Sequence, residues 1–244
     1  MPELPPVMTT VRGKATPNHR VVQPRGTAQI RWRVAEIRTV TSRAAAIFAA
    51  LCTLAGAVAV ATAVVATRRL WFGGYVSEAG VSAQPHASTY RLGMLGLAAG
   101  LVLLGVAVAR ISRAAAVLLA AGGVLGTVSG SVSCTAGCPL PPFDRTSVAD
   151  LVHGGASALA VAACTLAMLA VGRAATDRGT RSLSLAAFAL VAPLVALEGL
   201  GMLTVGRGYV TGLIERATLV ASSAWIIAVA LRQARPQAWP QARP

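Results

Sequence analysis

The sequence predicts an all-α membrane protein, a bundle of six transmembrane helices with both termini in the cytoplasm. Of its 244 residues, 55% are hydrophobic and only 12% are charged, which is about half the charged share of a soluble domain. The mean hydropathy is +0.65. The apolar residues also fall into six long stretches, so the solvent of this chain is predicted to be lipid.

The first 43 residues form a basic, proline-containing segment. It holds five prolines and eight Lys or Arg residues but no continuous apolar run. This composition predicts a largely disordered cytoplasmic tail. Residues 30–43 are compatible with either an amphipathic helix on the inner leaflet or a plain basic tail.

Six apolar stretches make up a transmembrane domain at 44–231. Each is close to the ~20 residues that cross about 30 Å of hydrocarbon. Because lipid offers no hydrogen bonds to an open backbone, each is predicted to be a helix. The predicted spans are 44–67, 92–109, 114–132, 151–172, 183–203 and 213–231, and a proline-rich cytoplasmic tail follows at 232–244.

The basic residues predict the orientation. Of the 22 Lys and Arg residues, sixteen lie in the two tails and in the loops on the same side, and five lie in the opposite loops. Cationic segments are retained on the cytoplasmic side. We therefore expect a multi-pass plasma-membrane protein with both ends inside the cell.

Five of the eight acidic residues gather at the predicted outer face. Polar stripes on apolar helices usually face the bundle interior or a water-filled vestibule, where they can be paired. The candidate polar cluster comprises Glu78, His86, Asp150, His153, Glu198, Glu215 and Arg216. We expect it to open outward.

Glu198 is the most exceptional member of this cluster, because it lies within the fifth span. A carboxylate in hydrocarbon needs a counter-charge or a proton. Arg216, at a similar depth in the sixth span, is the expected partner. The pair would serve either to lock the two helices together or to bind a ligand or handle protons.

Cys134 and Cys138 flank a Thr-Ala-Gly turn in the second outer loop. In an oxidising exterior, a disulfide between them is the leading interpretation. The alternative joins these thiols with Asp150 and His153 in a metal site, although the spacing matches no recognised zinc signature. We therefore predict no metal and no cofactor.

The charge of +14 does not predict nucleic-acid binding. The basic residues flank apolar spans, where they act as topology signals, and no recognition motif accompanies them. The sequence also contains no Walker loop, dinucleotide glycine fingerprint, His-Glu-x-x-His or Gly-x-Ser-x-Gly motif. An enzyme is therefore the less favoured expectation.

Three segments resemble a family of bacterial membrane proteins, of actinobacterial type, called domain of unknown function 998. They are Tyr75-Val-Ser-Glu-Ala-Gly80, the loop from Cys134 to Pro142 with Ala149-Asp-Leu-Val-His-Gly154, and Gly212-Leu-Ile-Glu-Arg216 with Trp225. The resemblance covers residues 45–231. It implies a six-helix bundle and brings no established activity.

Three classes of function follow. The first is a non-enzymatic structural, sensory or binding protein, whose partners are the bilayer and a small molecule or lipid headgroup at the outer face. The second is a metal-dependent membrane hydrolase that uses Asp150 and His153 to activate water. The third is a small-molecule transporter with Glu198 and Arg216 in its pathway, for which no inverted repeat is visible. We favour the first class because no catalytic signature appears.

Overall fold

A computed structural model describes residues 25–67 and 73–235, with side chains from residue 40 onward. This part of the chain is helical and contains no strand. Six helices contain segments long and apolar enough to cross a membrane, which confirms the predicted fold class. They are α1 (Arg25–Ala66), α2 (Ala87–Val108), α3 (Arg113–Ser131), α4 (Val148–Ala174), α5 (Arg178–Thr204) and α6 (Tyr209–Ala234), with a 3₁₀ helix at Val76–Gly80.

Five of the six helices are longer than the predicted spans, whereas α3 has the predicted length of 19 residues. Helix α2 begins at Ala87, and its early residues Tyr90 and Arg91 fold back on the preceding loop. Tyr90 is buried, and the Arg91 guanidinium donates to the carbonyl oxygen of Gly80 at 3.2 Å. Helix α1 likewise begins at Arg25, inside the segment expected to be a tail. Residues 1–24 and 236–244 lie outside the described residues.

The two long connections, 67–86 and 132–147, lie at the same end of the bundle. We call the end with the connections 67–86, 132–147 and 205–208 the long-loop end. The opposite, short-loop end has only the connections 109–112 and 175–177. At both ends, short polar side chains cap helices: Ser112 accepts from the Ala115 amide, and Ser147 from the Asp150 amide. These caps satisfy backbone groups that lipid cannot.

Consecutive helices from α2 to α6 pack side by side, and α6 also contacts α2. Helix α1 packs against α2 through glycines. A Cβ placed on Gly56 would lie 2.6 Å from the Gly93 carbonyl oxygen and 2.7 Å from the Leu97 nitrogen. Such close backbone approach replaces the hydrophobic driving force that is missing between helices in lipid.

The tightly packed core lies in the half of the bundle next to the short-loop end. Its fully buried members include Leu104, Leu119, Met168, Val191 and Val229, one from each helix from α2 to α6. Trp225 closes this core and donates from its indole nitrogen to Ser184 Oγ at 3.1 Å. The apolar core thus occupies the half of the bundle next to the short-loop end.

Helix α5 is less buried in its second half than in its first. Its buried residues are Thr180, Ser184 and Val191, all before Pro193. Proline has no amide hydrogen for the helix and its ring crowds the preceding turn, so it weakens the helix at this point. Beyond Pro193, Val195 still packs against the apolar core and Met202 against the cluster around Tyr75, but no residue from Pro193 to Thr204 is buried.

Replacing Gly56 by alanine tests the α1–α2 contact. The added methyl group would collide with the backbone of α2, so the substitution should destabilise the bundle by roughly 1–3 kcal/mol. The measurement is thermal unfolding in detergent, followed by circular dichroism. Gly199→Ala is the matched control, because a Cβ at Gly199 meets no atom within 4 Å. Equal melting temperatures for the two variants would contradict the close approach.

Asp177, at the N-terminus of α5, should make stability depend on pH. Hydrogen bonds from Thr180 and from Arg232 hold the pKa of its carboxyl well below the usual 3.8. A lowered folded pKa gives stability that is fully present above the unfolded value and lost as pH falls through the folded value. The melting temperature of the natural protein should therefore exceed that of Asp177→Asn at pH 6. The difference should shrink below about pH 4; a difference independent of pH would contradict the charge contribution.

Candidate functional site

A cavity of about 550 Å³ lies between α2, α3, α4, α5 and α6, in the half of the bundle next to the long-loop end. Its floor is formed by residues of the apolar core, including Leu101, Cys164 and Ile226. Its volume lies within the range of about 300–1,000 Å³ typical of small-molecule sites. The cavity is therefore large enough for a small organic ligand.

The wall of the cavity is incomplete between α4 and α5. The lining residues Leu151 and Gly155 of α4 and Gly199 and Leu203 of α5 are all exposed. All four lie on the two helices that border the loosely packed end of α5, and most of the lining is apolar. In a bilayer, the opening between these helices would face lipid.

His153, which lines the cavity, has a buried ring nitrogen without a hydrogen-bond partner. Its Nδ1 lies 2.9 Å from the carbonyl oxygen of Ser129 and 3.0 Å from that of Val132. Since both are acceptors, we assign the ring proton to Nδ1, which leaves Nε2 as an acceptor in the neutral ring. The residue is only 6% exposed, and Nε2 is buried without a hydrogen-bond partner. A buried polar atom of this kind is stabilised by a ligand or water.

Asp150 also lines the cavity, but its carboxylate is already fully engaged. Oδ1 accepts from the Thr135 amide at 2.6 Å, and Oδ2 accepts from the Ser147 amide at 2.8 Å and its hydroxyl at 2.6 Å. The Thr135 hydroxyl contacts both oxygens at 3.1 Å. These contacts start α4 and tie the 132–147 loop to it, which is a structural role.

Glu198 of α5 and Glu215 of α6 face the same cavity. Each lies six residues from the long-loop end of its helix, or about 9 Å at 1.5 Å per residue. They are close enough to interact electrostatically, and the hydroxyl of Thr218 lies beside Glu198. Glu215 Oε2 accepts from the Val76 amide at 2.6 Å, which joins α6 to the 3₁₀ helix.

An ion pair between two loops closes the site at the long-loop end. Arg207 donates to both carboxylate oxygens of Glu78, from Nε at 2.6 Å and from Nη2 at 2.8 Å. This contact raises the pKa of Arg207, and Glu78 Oε1 also accepts from the Tyr75 amide. Burial and the nearby Glu215 raise the pKa of the Tyr75 phenol, which therefore stays protonated beside the cavity.

The remaining members of the predicted polar cluster do not line the cavity. Glu78 lies in the ion pair above it, and His86 is half-buried at the start of α2. Arg216 donates to the carbonyl oxygens of Gly74 and Gly212. Among the described residues, ion pairs join Glu78 to Arg207 and Asp177 to Arg232. The expected pairing of Glu198 with Arg216 is not among them.

Cys134 and Cys138 form a disulfide in this structure, and their Cα atoms lie 5.1 Å apart. One ligand atom from each of Cys134, Cys138 and His153 falls within 4.8 Å of the others. Within the described part of the chain, these residues are the group that could hold a metal, and Asp150 is not one of them. Because thiolates are the metal-binding form of cysteine, the disulfide leaves this group without its sulfur ligands.

Sequence reasoning missed the residues that organise the site. Arg207 was counted only as a loop charge, although it partners Glu78. Ser129 was treated as part of an apolar span, although its carbonyl oxygen orients His153. Both act through contacts far apart in the sequence. The Tyr75–Gly80 segment, with its family resemblance and the cluster residue Glu78, is the sequence signal for this ion pair.

One family model, described as "Protein of unknown function (DUF998)", matches residues 54–232. No curated protein and no solved structure matches the chain. The matched range runs from within α1 to near the end of α6, and so includes every helix that lines the cavity.

Substitutions of Glu78 and Arg207 test the closing ion pair. Arg207→Gln leaves a carboxylate that is only 7% exposed without its counter-charge, which should cost roughly 1–3 kcal/mol in unfolding free energy. Glu78→Gln should cost less, because Arg207 is 49% exposed and water can solvate it. In detergent unfolding, the double variant should lose less than the sum of the single losses. Additive losses would mean that the two side chains do not interact.

Proposed function

The chain belongs to the family of proteins of unknown function called DUF998, and from that premise we propose that it is a non-enzymatic membrane protein that binds an amphiphilic small molecule. The observation that carries this proposal is the cavity lined by the five helices from α2 to α6, with apolar walls and polar groups near one end. An apolar pocket with a few convergent polar groups is the usual form of a small-molecule site.

The position of the opening favours a ligand that dissolves in lipid. Five of the six exposed lining residues lie on α4 and α5, where a bilayer rather than water would meet the protein, and the sixth, Pro141, lies in the 132–147 loop. Such a ligand would enter sideways, with its apolar part toward Leu101 and Ile226 and its polar group toward His153 and Glu198. A water-soluble substrate would instead need a path through the loops.

The charge distribution supports a plasma-membrane orientation with both termini in the cytoplasm. The short-loop end and the tails carry sixteen of the 22 basic residues. The cavity would then lie in the outer leaflet. A lipid headgroup or small amphiphile outside the cell is the corresponding ligand source.

The alternative activities have less support. A hydrolase that uses Asp150 and His153 would need a free carboxylate, and both oxygens of Asp150 accept hydrogen bonds from Thr135 or Ser147. The transporter hypothesis stays a prediction. It requires the same binding step, followed by release on the other side of the membrane.

Binding of ten-carbon probes tests the proposed function. Radiolabelled decanol, decanoate and decylammonium are applied to detergent-purified protein in a scintillation proximity assay. At least one probe should bind saturably. Gly199→Phe should reduce that binding at least about tenfold, because a side chain at this open lining position would occupy part of the cavity.

Leu200→Phe is the matched control, since Leu200 is adjacent on α5, 57% exposed and not part of the lining. It should leave binding unchanged. Circular dichroism and melting temperature establish that both variants are folded. Absence of saturable binding for all three probes, or equal binding by both variants, would refute the proposed function.

A further inference from the structure

The charged residues in the described lining of the cavity are all acidic, and the hydroxyl groups beside them can both donate and accept hydrogen bonds. Among the described lining residues are Asp150, Glu198 and Glu215, and none is lysine or arginine. The oxygens of Asp150 are taken up by Thr135 and Ser147. Glu215 already accepts from the backbone amides of Val76 and Ser77. Glu198 is therefore the lining carboxylate with the most capacity for a ligand, and Glu215 is near enough to interact with it.

We propose that the ligand carries a protonated amine on an apolar body, and that Glu198 and Glu215 bind this ammonium group. The inference rests on the proposed function, because it assigns the chemistry of the molecule in the same cavity. An ammonium group has only donors, and it forms its strongest hydrogen bonds with carboxylates.

His153 provides an observation independent of the two carboxylates. Its Nε2, an acceptor in the neutral ring, is buried without a partner. His153 lines the cavity and is only 6% exposed. The hydroxyl groups of Tyr75, Thr218 and Ser222 are likewise buried without a partner in the lining, and each can accept as well as donate a hydrogen bond. An ammonium head group would donate to such acceptors, whereas a carboxylate or phosphate head would meet the like charges of Glu198 and Glu215.

The described charged residues around Glu198 and Glu215 favour a cationic ligand. Arg216 interacts electrostatically with Glu215, next to it in the chain, and its guanidinium binds the Gly74 and Gly212 carbonyl oxygens. Arg207 is paired with Glu78. In their ionised forms, Glu198 and Glu215 carry one charge more than Arg216 within the described part of the site, and an ammonium group would balance it. An anionic ligand would instead meet two carboxylates in an apolar setting.

The three ten-carbon probes share one chain and differ only in the head group, so their order of affinity tests this inference. Decylammonium should bind at least about tenfold more tightly than decanol or decanoate. Glu198→Gln should reduce decylammonium affinity about tenfold and leave decanol affinity unchanged, because it removes the charge and keeps the shape. Glu215→Gln should act in the same direction.

Asp144→Asn is the matched control. It removes one negative charge from an exposed residue at the same end of the protein, outside the cavity lining. It should leave the order and the affinities unchanged. If Asp144→Asn weakens decylammonium binding as much as Glu198→Gln, the preference is a surface effect and the inference is overturned.

The two proposals fail in different ways. Saturable decanol or decanoate binding that is lost in Gly199→Phe, with decylammonium no tighter than the others, would overturn the cationic ligand and leave the cavity as a binding site. No saturable binding of any probe would overturn both. Tight decylammonium binding that Glu198→Gln and Glu215→Gln do not weaken would also overturn the assignment to these carboxylates.

Discussion

The structure depends on one constraint: lipid provides no partner for a polar group, so each polar group inside the bundle needs one within the protein. Asp150 meets this need at the start of α4, where Thr135 and Ser147 supply its donors. Glu78 meets it through Arg207. Five buried side-chain atoms in the described part of the chain lack a partner, and four of them belong to cavity-lining residues: Tyr75, His153, Thr218 and Ser222. The site is therefore located by the polar groups that the fold leaves unsatisfied.

The two halves of the bundle differ in packing for a physical reason. Next to the short-loop end, small residues such as Ala49, Ala115 and Ala167 let the helices approach closely around Trp225. Near the long-loop end, Pro193 weakens α5, and no residue of that helix beyond it is buried. The well-packed half thus holds one end of each helix, while the cavity lies beside the less buried half of α5. Such an arrangement can admit a ligand without disturbing the core.

The sequence was most informative about elements that local chemistry decides. Six apolar stretches of membrane length predict six helices, and the fold class is confirmed. The candidate cluster was selected by depth along the helices, and four of its members line one cavity: Asp150, His153, Glu198 and Glu215. Depth along a helix does not reveal how the helix is rotated about its axis. The sequence therefore did not indicate which members of the cluster are already hydrogen-bonded within the protein and which are available to a ligand. Likewise, no local pattern indicated that Glu78 pairs with Arg207, which lies 129 residues away in the sequence.

The sequence by itself determined that the chain is a membrane bundle and which polar residues lie near the same level. These properties follow from the length and hydrophobicity of contiguous segments. Only the tertiary structure decided that Asp150 is engaged by Thr135 while Glu198 and Glu215 face a cavity. Those assignments depend on which helices are neighbours and how each is rotated. Contacts across the bundle set both, and residue order along the chain does not specify them.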